Sequence, residues 1–211
     1  MRTLAASLAP LSLALALGGC APAATPAARA PSPPVAFAVA RAGSFHSARF
    51  ELSLPLPDGS AWRIDDHRSP WLVARHEATR STLRVRAWSE PEIVRHASCE
   101  ARARGFAPDL PPPDTARVVD DRYLALDGDL AAHLVTAVAP APGERDLLEG
   151  SVLLVAADVH RCLVLSYVTL AAGDGAPAVL GERLAVIAEA TAKGLRRDRE
   201  LSGAAPPRER R

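Results

Sequence analysis

Along the chain, apolar and polar residues alternate in short runs, and two longer runs follow helical spacing. Phe50, Leu52 and Leu54 alternate with Arg49, Glu51 and Ser53, the period of a half-buried strand. Pro57-Asp58-Gly59 is a turn, and Trp62 and Ile64 then alternate with Arg63 and Asp65 as a second strand. Trp71 to His76 and Thr82 to Trp88 make a third and a fourth. Ser89-Glu90-Pro91-Glu92 has the spacing of a capping box, so a helix is predicted from about Glu90 to Arg104, ending at Gly105. Its clearest apolar face is Ile93, Val94, Ala97 and Ala101.

A loop carrying Pro111-Pro112-Pro113 leads into a second block of strands. These are predicted at Arg117 to Leu126, Leu130 to Ala139, Leu147 to Val159 and Arg161 to Leu170. Asp127-Gly128-Asp129 is the hairpin signal between the first two. Leu180, Leu184, Ile187, Thr191 and Leu195 recur at helical spacing, with start signals at Asp174 to Pro177 and a weakened end at Gly194. The order is four strands, a helix, four strands, a helix. That order predicts an α+β fold: an antiparallel β-sheet of about six to eight strands covered by two main helices.

Both ends of the chain depart from this pattern. Leu4 to Leu17 is an apolar Leu/Ala run preceded by Arg2 and followed by Gly18, Gly19 and Cys20. It is too short for a comfortable membrane span, which needs about 20 apolar residues, and has the parts of an export signal. Residues 21–44 begin as an Ala/Pro-rich segment without hydrophobic period, read as an extended tether with no fixed burial. Residues 198–211 are charged and contain proline, and read as a disordered tail. The expected division is 1–19 signal peptide, 20–44 tether starting at Cys20, 45–197 globular domain and 198–211 tail.

Leu17-Gly18-Gly19-Cys20 resembles the lipobox of bacterial lipoproteins. The resemblance implies cleavage between Gly19 and Cys20, a thioether-linked diacylglycerol on Cys20, and acylation of the new amine. Two or three chains suffice for stable anchoring where one does not. Ala21 lacks the aspartate associated with inner-membrane retention in the enterobacterial-type sorting rule, which favours the outer membrane. The domain itself, over residues 45–197, resembles the PsbP-like fold. The resemblance is carried by the element order, by Leu56-Pro57-Asp58-Gly59 with Trp62, and by the final helix. It implies a fold that hosts unrelated roles and assigns no activity.

Of 211 residues, 48% are hydrophobic, enough for one core, though much of that share is alanine in the signal and tether. The formal net charge is +1 and falls to zero when Arg2 leaves with the signal, so no basic field argues for nucleic acid. With Cys20 lipidated, Cys99 and Cys162 remain of three cysteines, and an even pair in an exported chain suggests a disulfide. It would close a loop of about 60 residues, worth about 3–4 kcal/mol in the chain-entropy model. The other readings of this pair are free or buried thiols, and a zinc set with His96 and His160. His96 and Cys99 are neighbours on one predicted helix, and His160 and Cys162 share a strand face. At 100° per residue Cys99 lies almost opposite the Ile93/Ala97/Ala101 stripe. Either the core face turns through His96 and Ala103, or Cys99 faces a loop or solvent.

No nucleophile elbow, phosphate loop or dinucleotide fingerprint occurs. His76-Glu77 lacks the second histidine of a metalloprotease helix. Asp65-Asp66-His67 reads as a solvated turn rather than a relay, and Asp127-Gly128-Asp129 as a hairpin rather than a calcium loop. Trp62, Trp71 and Trp88 are expected in the core before a binding platform. The tail arginines are read as solvated before headgroup-bound. Three function classes follow in order. The first is an envelope lipoprotein, held on a membrane through Cys20, whose non-catalytic domain binds an envelope protein or stabilises one. The second is a ligand-binding module for a lipid, sugar or metal. The third is a hydrolase or metal enzyme. No cofactor and no nucleic-acid partner is expected.

Overall fold

A computed structural model of the chain describes residue 37 and residues 42–126, 130–144 and 146–197. The signal, Gly19, Cys20, most of the tether, the Asp127-Gly128-Asp129 turn and the charged tail lie outside the described residues. The strands are β1 (Gly43–Ser47), β2 (Leu52–Leu56), β3 (Trp62–Asp65), β4 (Leu72–His76), β5 (Ser81–Ser89), β6 (Arg117–Leu126), β7 (Leu130–Pro140), β8 (Leu147–Asp158), β9 (Arg161–Ala172) and β10 (Arg196–Arg197). The helices are α1 (His96–Phe106) and α2 (Ala176–Val186), the latter continuing as a π-helical turn over Ile187–Ala192.

The expected α+β architecture is present. Seven strands form one antiparallel sheet in the order β3-β4-β5-β9-β8-β7-β6, and β1-β2-β10 form a second, three-stranded sheet. The β8–β9 pair is the centre of the large sheet and is covered on both faces, which is why both strands read as near-continuous apolar runs. On one face, Leu72, Leu83, Leu154, Leu165 and Tyr167 pack under α2 and the small sheet. On the other, Trp71, Val73, Leu153, Val155 and Val164 pack under α1. Gly150 on β8 lets α2 approach: a Cβ there would stand 3.2 Å from methyls of Leu180 and Leu184. Gly150→Val should push the helix off the sheet and cost about 1–3 kcal/mol, readable as a lower urea midpoint.

Three local expectations are corrected. Helix α1 starts at His96, not near Glu90. The residues before it are held by the β8–β9 turn instead: the amides of Glu90 and Val94 donate to His160 O and Val159 O, at 2.7 and 2.8 Å. Glu90 is engaged by Trp88 Nε1 and Arg102, and the start of α1 is capped by Ser98, whose Oγ accepts the Arg95 amide, in place of the predicted Ser89/Glu92 box. The buried face of α1 is Cys99 and Ala103, the first of the two arrangements open for Cys99, while Ile93, Ala97 and Ala101 of the clearest apolar stripe are exposed. Alanines carry too little area to orient a helix against the sheet, and the Cys99–Cys162 disulfide turns the opposite side inward. Finally, Phe37, inside the stretch read as a tether, is buried against Trp62 and His76, with ring centroids 5.9 and 5.3 Å away.

A polar network ties α2 to the sheet. His76 is 2% exposed and joins Asp58 (3.2 Å) to Thr79 Oγ1 (2.8 Å). Thr79 continues to Ser81, and Ser81 to the Tyr167 hydroxyl and Thr169. Buried Arg183 on α2 donates to Thr79 O, Thr169 Oγ1 and Leu170 O, each at 3.0 Å. Burial pushes the Tyr167 phenol up to about 12, partly opposed by its hydrogen bonds with Ser81 and Thr169. A phenol harder to ionise in the folded chain stabilises the fold fully below about pH 10, and that contribution is lost as pH rises from 10 towards 12. In a Tyr123→Phe chain, the single remaining phenolate absorbance should appear near pH 12 together with unfolding. Its appearance at pH 10 without unfolding would contradict the burial.

Candidate functional site: an apolar groove beside helix α2

Helix α2 lies over β8 and β9, and the sheet continues past it into β7 and β6. The uncovered margin leaves a groove of about 710 Å³ on the α2 face, within the size range of small-molecule clefts. Val138 on β7, Leu148 on β8 and Val119 on β6 line its sheet side, and Leu184, Ala185 and Ala188 its helix side. Val119 is 62% exposed, an apolar side chain left without a cover. A β-bulge between Val118 and Asp120 turns the strand locally and leaves Val119 without a cross-strand partner.

The helix wall is low because its residues are small. Gly181 and Ala185 lie four apart, one above the other on a helix, and Ala188 follows on the same side. A Cβ on Gly181 would meet nothing within 4 Å, so no packing demands glycine there. Glycine within a helix costs roughly 0.5–1 kcal/mol relative to alanine. The sequence accepts that cost on the wall of the groove.

One ion pair spans the groove. Arg122 of β6 meets Glu189 at the end of α2, and Arg122 also reaches Asp120 at 3.2 Å while Glu189 reaches Lys193 at 3.4 Å. The Arg122 hydrogen bond holds the Glu189 carboxyl below its ordinary range, and the guanidinium is held above its own by the same bond. Both partners are about half exposed, where such pairs contribute about 0–1 kcal/mol. The strap is therefore cheap to open. Arg117 and Asp120 add one further charge of each sign, so the rim is polar and balanced around an apolar floor.

The residues singled out from sequence fall elsewhere. Cys99 and Cys162 are bonded to each other, with Cα atoms 5.5 Å apart, so neither sulfur is a thiolate. His96 contacts Ala131 O through Nε2 (2.9 Å), and His160 is exposed in the β8–β9 turn. Among the described residues, no group of three or more His, Cys, Asp or Glu side chains gathers to hold a metal. His96 does meet another set. Tyr123 lies edge-on to it at 5.6 Å and stacks on His133 at 4.7 Å, and His133 Nε2 is 2.7 Å from Asp121. That cluster sits on the open sheet surface under the N-terminus of α1, and its ring nitrogens Nε2 are both engaged.

Asp58, His76, Thr79 and Ser81 have the residue types of a nucleophilic relay, but Thr79 and Ser81 are 1% and 3% exposed and their hydroxyls are spent on one another. In the Asp65-Asp66-His67 turn, Asp65 Oδ1 accepts the amides of His67 and Arg68, and Asp66 is held by Ser47 and Arg49. Trp62 and Trp71 are core residues, as expected, and Trp88 is half-buried against Phe106, so among the described residues the three tryptophans do not form the alternative binding platform. The groove arises from small residues instead. Its sequence signal is the Gly181/Ala185/Ala188 spacing and the Val118-Val119 pair in the polar first half of β6.

No protein-family model matches the chain, and no curated protein matches it. Similar solved structures include a crystal structure from Bacteroides thetaiotaomicron, at 14% identity and TM-score 0.43 over 76% of this chain and 50% of that one. This chain thus spans half the length of the Bacteroides protein. The solution structure of cyanobacterial PsbP from Synechocystis is similar at 12% identity and TM-score 0.45, over 86% and 98% of the two chains. The crystal structure of LpqN, involved in cell envelope biogenesis of Mycobacterium tuberculosis, is similar at 15% identity and TM-score 0.42, over 73% and 88%. Likenesses of this degree carry no argument about what the chain does.

Proposed function

We propose that this chain is an envelope lipoprotein, tethered to a membrane at Cys20, whose folded domain binds an apolar chain in the α2 groove without transforming it. The ligand class that fits is a lipid acyl chain with a polar head left at the balanced rim. The observation that carries the reading is the groove with Gly181 on its wall: a site where packing would accept a side chain and the sequence withholds one. The anchor is supported by Leu17-Gly18-Gly19-Cys20, and it would keep the domain where acyl chains are abundant. The outer membrane is the location favoured by Ala21.

Gly181 gives the direct test. Gly181→Ala should stabilise the domain by about 0.5–1 kcal/mol and leave binding of lauric acid nearly unchanged. Gly181→Phe should leave the melting temperature unchanged or raised, yet weaken lauric acid at least about tenfold by filling the groove. Undiminished binding by the phenylalanine variant would exclude the groove as the site. For the anchor, incorporation of labelled palmitate should disappear in Cys20→Ser. Labelling that survives would place the lipid elsewhere.

A further inference from the structure

The β8–β9 hairpin closes through two residues, Val159 and His160, since Asp158 pairs with Arg161. Val159 has φ of 35°, in the left-handed region. For a β-branched residue this is an outlier, whereas glycine or asparagine adopts it readily. The valine side chain does not offset the strain by packing, because it is 59% exposed. Its backbone has a role: Val159 O accepts Val94 N–H, and His160 O accepts Glu90 N–H. Any residue would serve those two carbonyl positions, so the valine side chain is left unexplained by the fold.

The same hydrogen bonds bring a second loop alongside. Ile93, next to Val94, is 76% exposed, the most exposed large apolar residue among those described. Two loops, locked together by backbone bonds, therefore present two branched aliphatic side chains outward at one end of the sheet. Arg95 and Glu92 are exposed beside them, and Arg161 is engaged by Glu51 at 3.2 Å, so the charge around the tip is close to balanced. A partner for such a tip is apolar rather than ionic.

We infer that Ile93 and Val159 form an apolar tip that enters the interfacial layer of the bilayer carrying the anchor. This rests on the anchoring reading above. Phe37, where the described chain enters the core, is 17 residues from Cys20, so the tether reaches at most about 60 Å. Phe37 packs on His76, at the opposite end of β5 and β9 from the Val159–His160 turn and so roughly 27 Å from it; the reach of the tether exceeds that span, which lets the tip meet the membrane, where two aliphatic side chains bias orientation. The balanced charge predicts that insertion needs no anionic lipid and is insensitive to salt.

The test uses the full lipidated protein in vesicles of phosphatidylcholine with a share of doxyl-labelled phosphatidylcholine. Fluorescence of an Ile93→Trp variant, less that of the parent chain, should be quenched, and equally so at high salt. Adding Val159→Asn should relieve the backbone, raising the melting temperature by about 2–4 °C, while reducing the quenching severalfold. A stabilised Val159→Asn chain with undiminished quenching would overturn the inference. So would vesicle-bound Ile93→Trp protein whose added indole emission is not quenched at all, and in that case the anchor stands. Failure to float with the vesicles would overturn the anchor and this inference together.

Discussion

Replacing Cys99 and Cys162 together by alanine is expected to lower the stability of the domain by about 4 kcal/mol. The two residues are 63 apart in sequence, and cross-linking a loop of that length removes roughly this much freedom from the unfolded chain. The local consequence is greater than the global figure suggests. Helix α1 buries only Cys99 and Ala103, so little apolar area holds it on the sheet. Its other ties include His96 to Ala131 O, Arg104 to Leu110 O, the Glu90–Arg102 pair and Phe106 against Trp88 and Arg86, all at least partly exposed. Without the bridge, α1 should open before the rest of the domain. Hydrogen exchange would then show its amides unprotected while β8 and β9 stay protected. Urea denaturation should show a lower midpoint and a steeper slope, because the unbridged chain exposes more surface. A loss below about 1 kcal/mol would mean that side-chain contacts alone dock the helix.

The second large effect concerns Arg183. Arg183→Met is expected to cost about 2–3 kcal/mol, because Thr79 O, Thr169 Oγ1 and Leu170 O each lose a charged donor, while Thr79 O and Thr169 Oγ1 keep only their neutral bonds with Ser81 and with each other. Burial holds the guanidinium below its ordinary range. Arg122→Met offers the contrast. Its partners are half exposed, so the same change there should cost at most about 1 kcal/mol. Denaturation of the two variants side by side separates buried from exposed arginine. A neutral Arg183→Met would mean that the cost of burying the cation cancels the value of its bonds.

The strands that were legible owed it to their own side chains. β6 to β9 fall within two residues of the predicted bounds because turn residues separate them and because β8 and β9 need apolar residues on both faces. β1 was not, since Gly43-Ser44-Phe45-His46-Ser47 holds one large apolar residue and its pairing with β2 comes from the fold. β10 is two arginines, visible only beside Leu52 and Ser53. The start of α1 departs from the local signal at Ser89 and Glu92 because two long-range backbone bonds from the β8–β9 turn override it. Phe37 looks like tether in the sequence because its packing partners, Trp62 and His76, are 25 and 39 residues away. The candidate site was the least legible feature. A groove is a gap between elements, and a sequence displays the residues that fill space more readily than those that leave it open.

Occupancy of the groove is read most directly by titrating the methyl-labelled domain with lauric acid and following it by NMR. Shifts should concentrate on Val119, Val138, Leu148, Leu184, Ala185 and Ala188, and Gly181→Phe should abolish them while the rest of the spectrum stays that of the folded domain. No shifts, or shifts confined to other surfaces, would contradict binding in the groove.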